Sequence, residues 1–484
     1  MKILLINPQR MLKNPKNQYT SIPIGLISLA SFLQINGYET EVLDTIGEDL
    51  KNYEPFNGVY RVGLSNHKVI KCIEASKPDV VGISCAFTPR FPNVVQISRL
   101  VKQFNPNIPV IVGGMHATVC ADKVLQEPSI DFVVMGEAEF PVMNLLEKLK
   151  TNTLKGEELK GISFRTPEGI FINKERVLLD NLDVLPIPAY DLIPMEKYFR
   201  SGVRRDALTE EVRQTSVITS RGCPFQCTFC SSQSMWGNVC RQRSPMHILA
   251  EIEMLLNSYG VKEIAFEDDN LSLNKDRIHQ LCREIIHRNL KFKWTTPNGI
   301  HIANLDKSLL RLMKSSGCRR LNFGIESGDE HILNDVMNKK ISLDKVREVV
   351  KIAQDEGIVT LGYFVIGMPG ETKESLQRTI EFAKSLALHE IGVFVATPFP
   401  QTQLERECRD KGYLKKDFTD IIAEDDIENQ IFFETPMLPT ETLLYYKSIF
   451  LKEFYKKKIF EKPFYYIKRA LKNPKLLWKI KKMI

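Results

Sequence analysis

The feature that most constrains this chain is a pattern that runs twice: short apolar runs alternating with stretches of helical periodicity. In the first series the runs are Lys2–Asn7, Thr40–Asp44, Asp79–Cys85, Ile108–Gly114 and Asp131–Gly136. Between them lie segments such as Phe91–Phe104, where Val94, Ile97, Val101 and Phe104 recur at helical spacing. Strand–helix alternation of this kind predicts a parallel, doubly wound sheet. A second series reads Thr215–Ser220, Glu263–Glu267, Lys291–Thr296, Arg319–Ile325, Val359–Ile366 and Glu390–Ala396, separated by patterns such as Ile248–Leu256, Ile278–Ile286 and Val346–Ala353. Six such units predict a partial TIM-type (β/α)6 barrel, short of the closed eightfold one. Both architectures bind ligands at the carboxyl ends of their strands. The expected fold class is therefore α/β, with a helical, aromatic-rich C-terminal region.

The boundaries follow from the same pattern. Residues 1–150 form the first domain and residues 151–210 a linker, with a small hairpin over Gly161–Asn173 and a rigid Leu185-Pro186-Ile187-Pro188 stretch. Residues 211–400 form the barrel and 401–484 the helical region.

Composition narrows the class. Hydrophobic residues make up 43% and charged residues 26%, with Gly 26 and Pro 25, which excludes a disordered, collagen-like or low-complexity chain. No apolar run reaches the ~18 residues of a membrane span, and the opening stretch is too short for a signal peptide. Ten cysteines are too sparse for a disulfide scaffold, so they are expected reduced, in a cytoplasmic setting. The net charge of +7 is uneven: Leu451–Ile484 carries twelve Lys/Arg against two Asp/Glu, leaving the rest slightly acidic. That body is a poor nucleic-acid binder. The basic tail, which mixes Lys/Arg with Phe464, Tyr465, Tyr466, Leu477, Trp478 and Ile480, has two readings. The plainer is a helix packed on the barrel with a solvated basic face; the other is peripheral contact with an anionic membrane.

After the first strand of the second series comes Gly222-Cys223-Pro224-Phe225-Gln226-Cys227-Thr228-Phe229-Cys230. Three cysteines at C-x-x-x-C-x-x-C spacing on a Gly/Pro loop can serve three irons of a [4Fe–4S] cube, leaving the fourth iron open. A structural zinc or a closed electron-transfer cluster wants a fourth ligand nearby, for which Cys240 is the one candidate. Buried, inert cysteines are the bland alternative, and three within eight residues on such a loop argue against it.

On these residues the stretch 215–400 resembles a radical S-adenosylmethionine (SAM) enzyme, with the aromatic Phe229 before the third cysteine and Met235-Trp236-Gly237, Arg243-Ser244-Pro245 and Glu267-Asp268-Asp269-Asn270 following. The resemblance implies that Cys223, Cys227 and Cys230 hold a [4Fe-4S] cluster whose open iron chelates SAM. It also implies that an electron from that cluster cleaves SAM to a 5′-deoxyadenosyl radical. Asp268 or Asp269, at the end of the second strand, would meet the SAM ammonium group; Asp and Asn there serve equally as helix caps. Glu326 and Ser327 sit in Gly324-Ile325-Glu326-Ser327-Gly328, which is similar to the family's ribose-contacting segment, although Ser327-Gly328-Asp329 is also an ordinary turn. Gly367 and Glu371, in Gly367-Met368-Pro369-Gly370-Glu371-Thr372, match the adenine-contacting segment; Glu371 or Thr372 could equally be caps.

The first domain looks like the Rossmann-like cobalamin-binding domain found ahead of the barrel in the B12-dependent branch. Its matching stretches carry Gly25, Ser84, Gly113, Gly114, His116, Gly136 and Glu137. Small residues at strand ends suit a wide planar ligand. The D-x-H-x-x-G string of histidine-ligating cobalamin folds is absent, so cobalt is expected without a protein histidine, and His116 reads equally as a polar loop residue. No G-x-G-x-x-G follows the first strand, which disfavours a dinucleotide.

The function these resemblances imply is methylation of an unactivated carbon of a small-molecule or lipid-like substrate. The cofactors would be the cluster, SAM and cobalamin, with flavodoxin or ferredoxin as reductant. Ring rearrangement or cyclisation by the same chemistry is the runner-up. A non-catalytic iron–sulfur or cobalamin sensor ranks below both, because it would want a fourth cluster ligand. No catalytic side chain beyond the cofactor ligands is assigned.

Overall fold

The computed structural model describes residues 1–17, 19–153 and 159–472; the tail residues Leu477, Trp478 and Ile480 lie outside it. Two compact units result: Met1–Pro224 with Ser231–Ile264 and Phe418–Gln430, and Phe225–Cys230 with Ala265–Asp417 and Ile431–Ile484.

In the first unit, β1 (Lys2–Asn7), β2 (Glu39–Asp44), β3 (Val80–Ser84), β4 (Val110–Gly113), β5 (Phe132–Val134), β6 (Ile162–Thr166) and β7 (Gly169–Phe171) form one sheet. Its order is β7-β6-β5-β4-β3-β1-β2. The five strands from β1 to β5 pair in parallel. Order 2-1-3-4-5 reverses direction between β1 and β3, the switch point where doubly wound sheets open a ligand crevice. Each face buries its own apolar set: Ile6, Val81, Ile83, Val94, Ile97 and Val112 on one side, Ile3, Leu5, Leu29, Leu33, Ile111 and Leu145 on the other. The β6–β7 hairpin expected between domains pairs antiparallel with β5 and so widens this sheet.

One element escaped the linear reading. Arg10–Leu12, Tyr53–Phe56 and Val59–Val62 form a three-stranded antiparallel sheet. Its hairpin turns at Asn57-Gly58, with φ of 46° and 78°. Two consecutive positive φ values are what a type I′ turn needs, and Asn-Gly is its usual sequence.

The second series supplies β8 (Gln214–Val217), β9 (Glu263–Phe266), β10 (Lys293–Ile300), β11 (Cys318–Glu326), β12 (Val359–Ile366) and β13 (Glu390–Val395). They are ordered consecutively in one sheet, and β10 to β13 pair in parallel. A helix follows each strand: Pro245–Tyr259, Lys275–His287, Lys307–Ser315, Leu343–Asp355, Lys373–Ser385 and Gln403–Asp410. Their starts are written in local chemistry. Ser244, Asn274, Asp306, Ser342, Thr372 and Thr402 each accept a hydrogen bond from a first-turn backbone N–H. The C-terminal helix Thr440–Glu461 packs against Lys373–Ser385 and β13.

Candidate functional site

The cysteine loop begins at a hairpin of Ser220–Arg221 with Arg241–Gln242. Gly222 has φ +86°, and a Cβ there would lie 2.2 Å from the Val239 carbonyl oxygen and 3.1 Å from Trp236, so glycine alone lets the loop start. Arg221, two residues before Cys223, is buried between Glu139 (2.6 Å) and Glu137 (3.2 Å). Arg241 across the hairpin also pairs with Glu137. Burial opposes the charge on Arg221, but the two carboxylates outweigh it and raise its pKa. Glu137 thus anchors the hairpin, and its second oxygen accepts from the Leu179 amide at 3.0 Å.

In the second unit, Thr228 is clamped by backbone and side-chain bonds to Met337 and Val336. Phe229 packs among Ile332, Met337, Met368, Leu404 and Phe433. Phe225 stacks flat on His301, with ring centroids 3.9 Å apart and planes at 7°. His301 is held neutral, its pKa lowered to about 4 by burial and by Lys339. Its Nε2 lies 3.2 Å from the Lys339 carbonyl oxygen.

Lys339 is the residue that the sequence did not reveal. Its ammonium stands 2.7 Å from Glu326 Oε1, with only 11% and 8% of the two side chains exposed. Burial works against that charge, yet Glu326 and the nearby Cys227 and Cys230 thiols raise its pKa above the ordinary lysine value. A buried cation therefore sits between the end of β11 and the cysteine loop. Glu326 itself has φ +67° and follows a register break after Gly324. A bulge re-aims a side chain at a strand end, and a non-glycine residue held at positive φ stores strain of the kind found at ligand sites. A Cβ on Gly324 would lie 2.6 Å from the Glu326 carboxylate and 2.7 Å from Lys339 Nζ, so this glycine makes room for the pair.

The other strand-end residues divide clearly. Asp268 is buried at 2% exposure and Asp269 is exposed. Neither caps the following helix, whose cap is Asn274, accepting from the Arg277 amide at 3.0 Å. Ser327 takes the turn role: its hydroxyl meets Thr379 at 3.1 Å and accepts from the Asp329 amide. Gly367 has φ +90°, and a Cβ there would run into Leu443. Glu371 is wholly buried and is no helix cap; one carboxylate oxygen accepts from the Gly367 and Met368 amides, while the other has no partner. Burial raises its pKa to about 8.

In the first unit, the end of β1 is filled by the chain itself. Asn7 bonds Asp44 at 2.8 Å, Tyr198 bonds Asp44 at 2.6 Å, and Arg90 reaches Asn7 at 3.3 Å. Glu424, from the returning segment Phe418–Gln430, lies 2.8 Å from both Arg10 and Arg90. The Asn7-Pro8 strand end is thus no ligand opening. Ser84 and Gly113 are half-buried register partners at the ends of β3 and β4, and a Cβ on the exposed Gly25 meets nothing within 4 Å. Three others serve the fold. At Gly114, with φ +110°, a Cβ would lie 2.8 Å from the Cys85 carbonyl; at Gly136 a Cβ would lie 3.3 Å from the Met235 carbonyl; Glu137 holds the two arginines. His116 is 3% exposed, with Nδ1 3.1 Å from Thr88 Oγ1 and Nε2 unpartnered. Burial and Lys123 lower its pKa to about 4.

The donor set fits an iron–sulfur cube. Cys223, Cys227 and Cys230 are half-buried, as are Cys72 and Cys240, whereas Cys85, Cys120, Cys282, Cys318 and Cys408 are buried, and burial pushes the Cys282 and Cys408 thiols up to about 12. Inert thiols of that kind ionise poorly. Among the described residues no three His, Cys, Asp or Glu side chains gather around a point suited to one metal ion; a cube instead spreads its thiolates over separate irons. Ser84 and Gly113 put small residues at two neighbouring strand ends of the first sheet.

Comparison with known proteins agrees with this geometry. A family model of the radical SAM superfamily matches residues 217–383 and one of the B12 binding domain matches residues 16–146. The chain is 31% identical over 443 residues to cytidylyl-2-hydroxyethylphosphonate methyltransferase of Streptomyces wedmorensis, covering 85% of this chain and 82% of the relative. It is 35% identical over 410 residues to the uncharacterized methyltransferase PH0819 of Pyrococcus horikoshii, covering 84% and 82%. Its fold matches that of the radical SAM methyltransferase TsrM of Kitasatospora setae, solved with cobalamin and a [4Fe-4S] cluster, with a TM-score of 0.73 at 17% identity over 92% of this chain and 90% of the other. No helix among the described residues is long and apolar enough to cross a membrane. Cysteine loop, strand-end carboxylate and full-length relatives converge: the chain belongs to the radical SAM superfamily, among its enzymes with an N-terminal B12-binding domain.

Proposed function

We propose that this enzyme methylates an unactivated carbon of a small-molecule or lipid-like substrate. The observation that carries the reading is the C-x-x-x-C-x-x-C loop of Cys223, Cys227 and Cys230, with the buried Lys339–Glu326 pair at a strand end within electrostatic reach of Cys227 and Cys230. The methyltransferase names of both relatives, each matched over more than four-fifths of its length, support the reaction class.

When bound, the cluster supplies the electron that cleaves SAM, and cobalamin supplies a carrier for a methyl group. The chain's own part is to hold and orient. Cys223, Cys227 and Cys230 would provide the three thiolates that hold the cluster, leaving one iron for SAM. Asp268 or Asp269 would meet the ammonium; Asp268 is the buried one of the pair. Glu326, fixed by Lys339, would address the ribose hydroxyls. The Gly367–Met368 backbone, braced by Glu371, would contact the adenine. Ser84 and Gly113 would border the corrin. A flavodoxin or ferredoxin supplies electrons in a reducing cytoplasm.

The test is product analysis with SAM carrying a deuterated methyl group and candidate substrates. Methyl transfer yields S-adenosylhomocysteine and a labelled product. Formation of 5′-deoxyadenosine alone, with an unlabelled rearranged product, would contradict methylation and favour cyclisation.

A further inference from the structure

The helix Pro463–Lys472 is held on one face and bare on the other. On the held face, Tyr466 and Ala470 are 4% and 5% exposed. Tyr465 OH bonds Glu390 at 2.9 Å, and the Lys462 ammonium just before the helix donates to the Ala387 carbonyl at 2.9 Å. These contacts fix the helix's rotation against the start of β13. On the bare face, Phe464, Ile467 and Leu471 are 85%, 57% and 78% exposed. Positions 464, 467 and 471 fall on one side at helical spacing, so the three side chains make a single apolar stripe, and Phe460 near the end of the preceding helix is 80% exposed as well. Water gains nothing from such a stripe, and isolated exposed apolar residues do not line up this way by chance.

The charge around the stripe says what covers it. Lys452, Lys456, Lys457 and Lys468 are exposed. Glu453 pairs with Lys384 at 2.8 Å, and Glu461 is shared by Lys458 at 2.6 Å and Lys457 at 3.6 Å. Exposed lysines thus outnumber acids around the stripe, and the region carries a net positive charge. A solvated basic face, the plainer expectation for this region, would not carry bare Phe and Leu. We propose that this face docks on an anionic lipid bilayer, with the apolar stripe at the acyl boundary and the lysines among the headgroups. In sequence the same chemistry continues beyond the described residues, through Leu476, Leu477, Trp478 and Ile480 interleaved with Lys475, Lys479, Lys481 and Lys482. A second anchoring segment is what turns weak surface contact into stable attachment.

The test is sedimentation of the full-length protein with vesicles of phosphatidylcholine alone or mixed with phosphatidylglycerol. The expected result is binding to the mixed vesicles only, weakened by salt. The variant Phe464→Ser/Ile467→Ser/Leu471→Ser should partition at least ~10-fold less, with unchanged circular dichroism and cluster absorbance. Lys456→Glu/Lys457→Glu should likewise lose the preference for anionic vesicles. Equal binding by the serine variant, or no binding to anionic vesicles at low salt, would overturn the proposal. So would a dimer by light scattering that the serine variant converts to monomer, because the stripe would then face a second copy.

Discussion

Replacing Lys339 by methionine isolates the electrostatics of the site. The ammonium lies 2.7 Å from Glu326, in a setting where 11% and 8% of the side chains meet water. Removing one member of a buried pair strands the other charge, at a cost of about 3–5 kcal/mol. Lys339→Met should therefore destabilise by that amount, and Glu326→Gln by a similar or smaller one. The double variant leaves no charge stranded and should recover to within about 1 kcal/mol of wild type, since replacing a whole buried pair is often nearly neutral. Denaturant unfolding of the four proteins gives the double-mutant cycle. A second readout is independent of stability. The ammonium lies within electrostatic reach of Cys227 and Cys230, so its removal should make the cluster harder to reduce, shifting its midpoint to more negative potential in an EPR-monitored titration. A Lys339→Met protein within about 0.5 kcal/mol of wild type, the range of an ordinary surface change, would refute the reasoning.

Four further outcomes are expected. Glu371 is buried with its pKa raised to about 8; the neutral acid is the form that the fold prefers, so stability falls as pH rises from the ordinary carboxylate range towards 8. Glu371→Gln keeps the acceptor for Gly367 and Met368, and its thermal unfolding advantage over wild type should grow between pH 6 and pH 9. Glu424 behaves oppositely: burial opposes its charge, but Arg90 and Arg10 win and lower its pKa. Its contribution is thus present above the unfolded carboxylate pKa and lost as pH falls through the folded value; Glu424→Gln should unfold at lower temperature at neutral pH and converge with wild type in acid. Serine at Cys223, Cys227 or Cys230 should each abolish the cluster's visible absorbance and reduce bound iron, whereas Cys240→Ser should retain both. Gly114→Ala, which puts a Cβ 2.8 Å from the Cys85 carbonyl at φ +110°, should cost roughly 1–3 kcal/mol in unfolding free energy.

The strands were the most legible part of the sequence. Lys2–Asn7 and Val359–Ile366 begin and end where their apolar runs do, because buried parallel strands read as continuous hydrophobic stretches. The cysteine loop was equally plain, since its ligands are local in sequence. What escaped notice depends on tertiary approach. Lys339 reads as one more charge in Asn338-Lys339-Lys340; only folding sets it against Glu326 and the loop. His301 becomes part of the loop's support only once Phe225 stacks on it. Phe418–Gln430 falls in the region expected to be helical, yet it forms only short 3-10 turns, and Glu424 returns more than three hundred residues to Arg10 and Arg90. Glu326 shows no sign of its left-handed backbone, because that conformation is imposed by the bulge and the ion pair, and nothing in a glutamate announces it. The glycines of the first domain's motif show their reason only in the fold. Gly114 and Gly136 are glycines because backbone passes close to them, and Glu137 is acidic because two arginines need it.

The central claim is that three thiolates hold a cluster that cleaves SAM reductively. The most direct measurement is 5′-deoxyadenosine, quantified after anaerobic reconstitution of the full chain with iron, sulfide, cobalamin, SAM and a low-potential reductant. Wild type should form it and Cys230→Ser should not. No 5′-deoxyadenosine from a wild-type protein shown to carry its full complement of iron and sulfide would contradict the account.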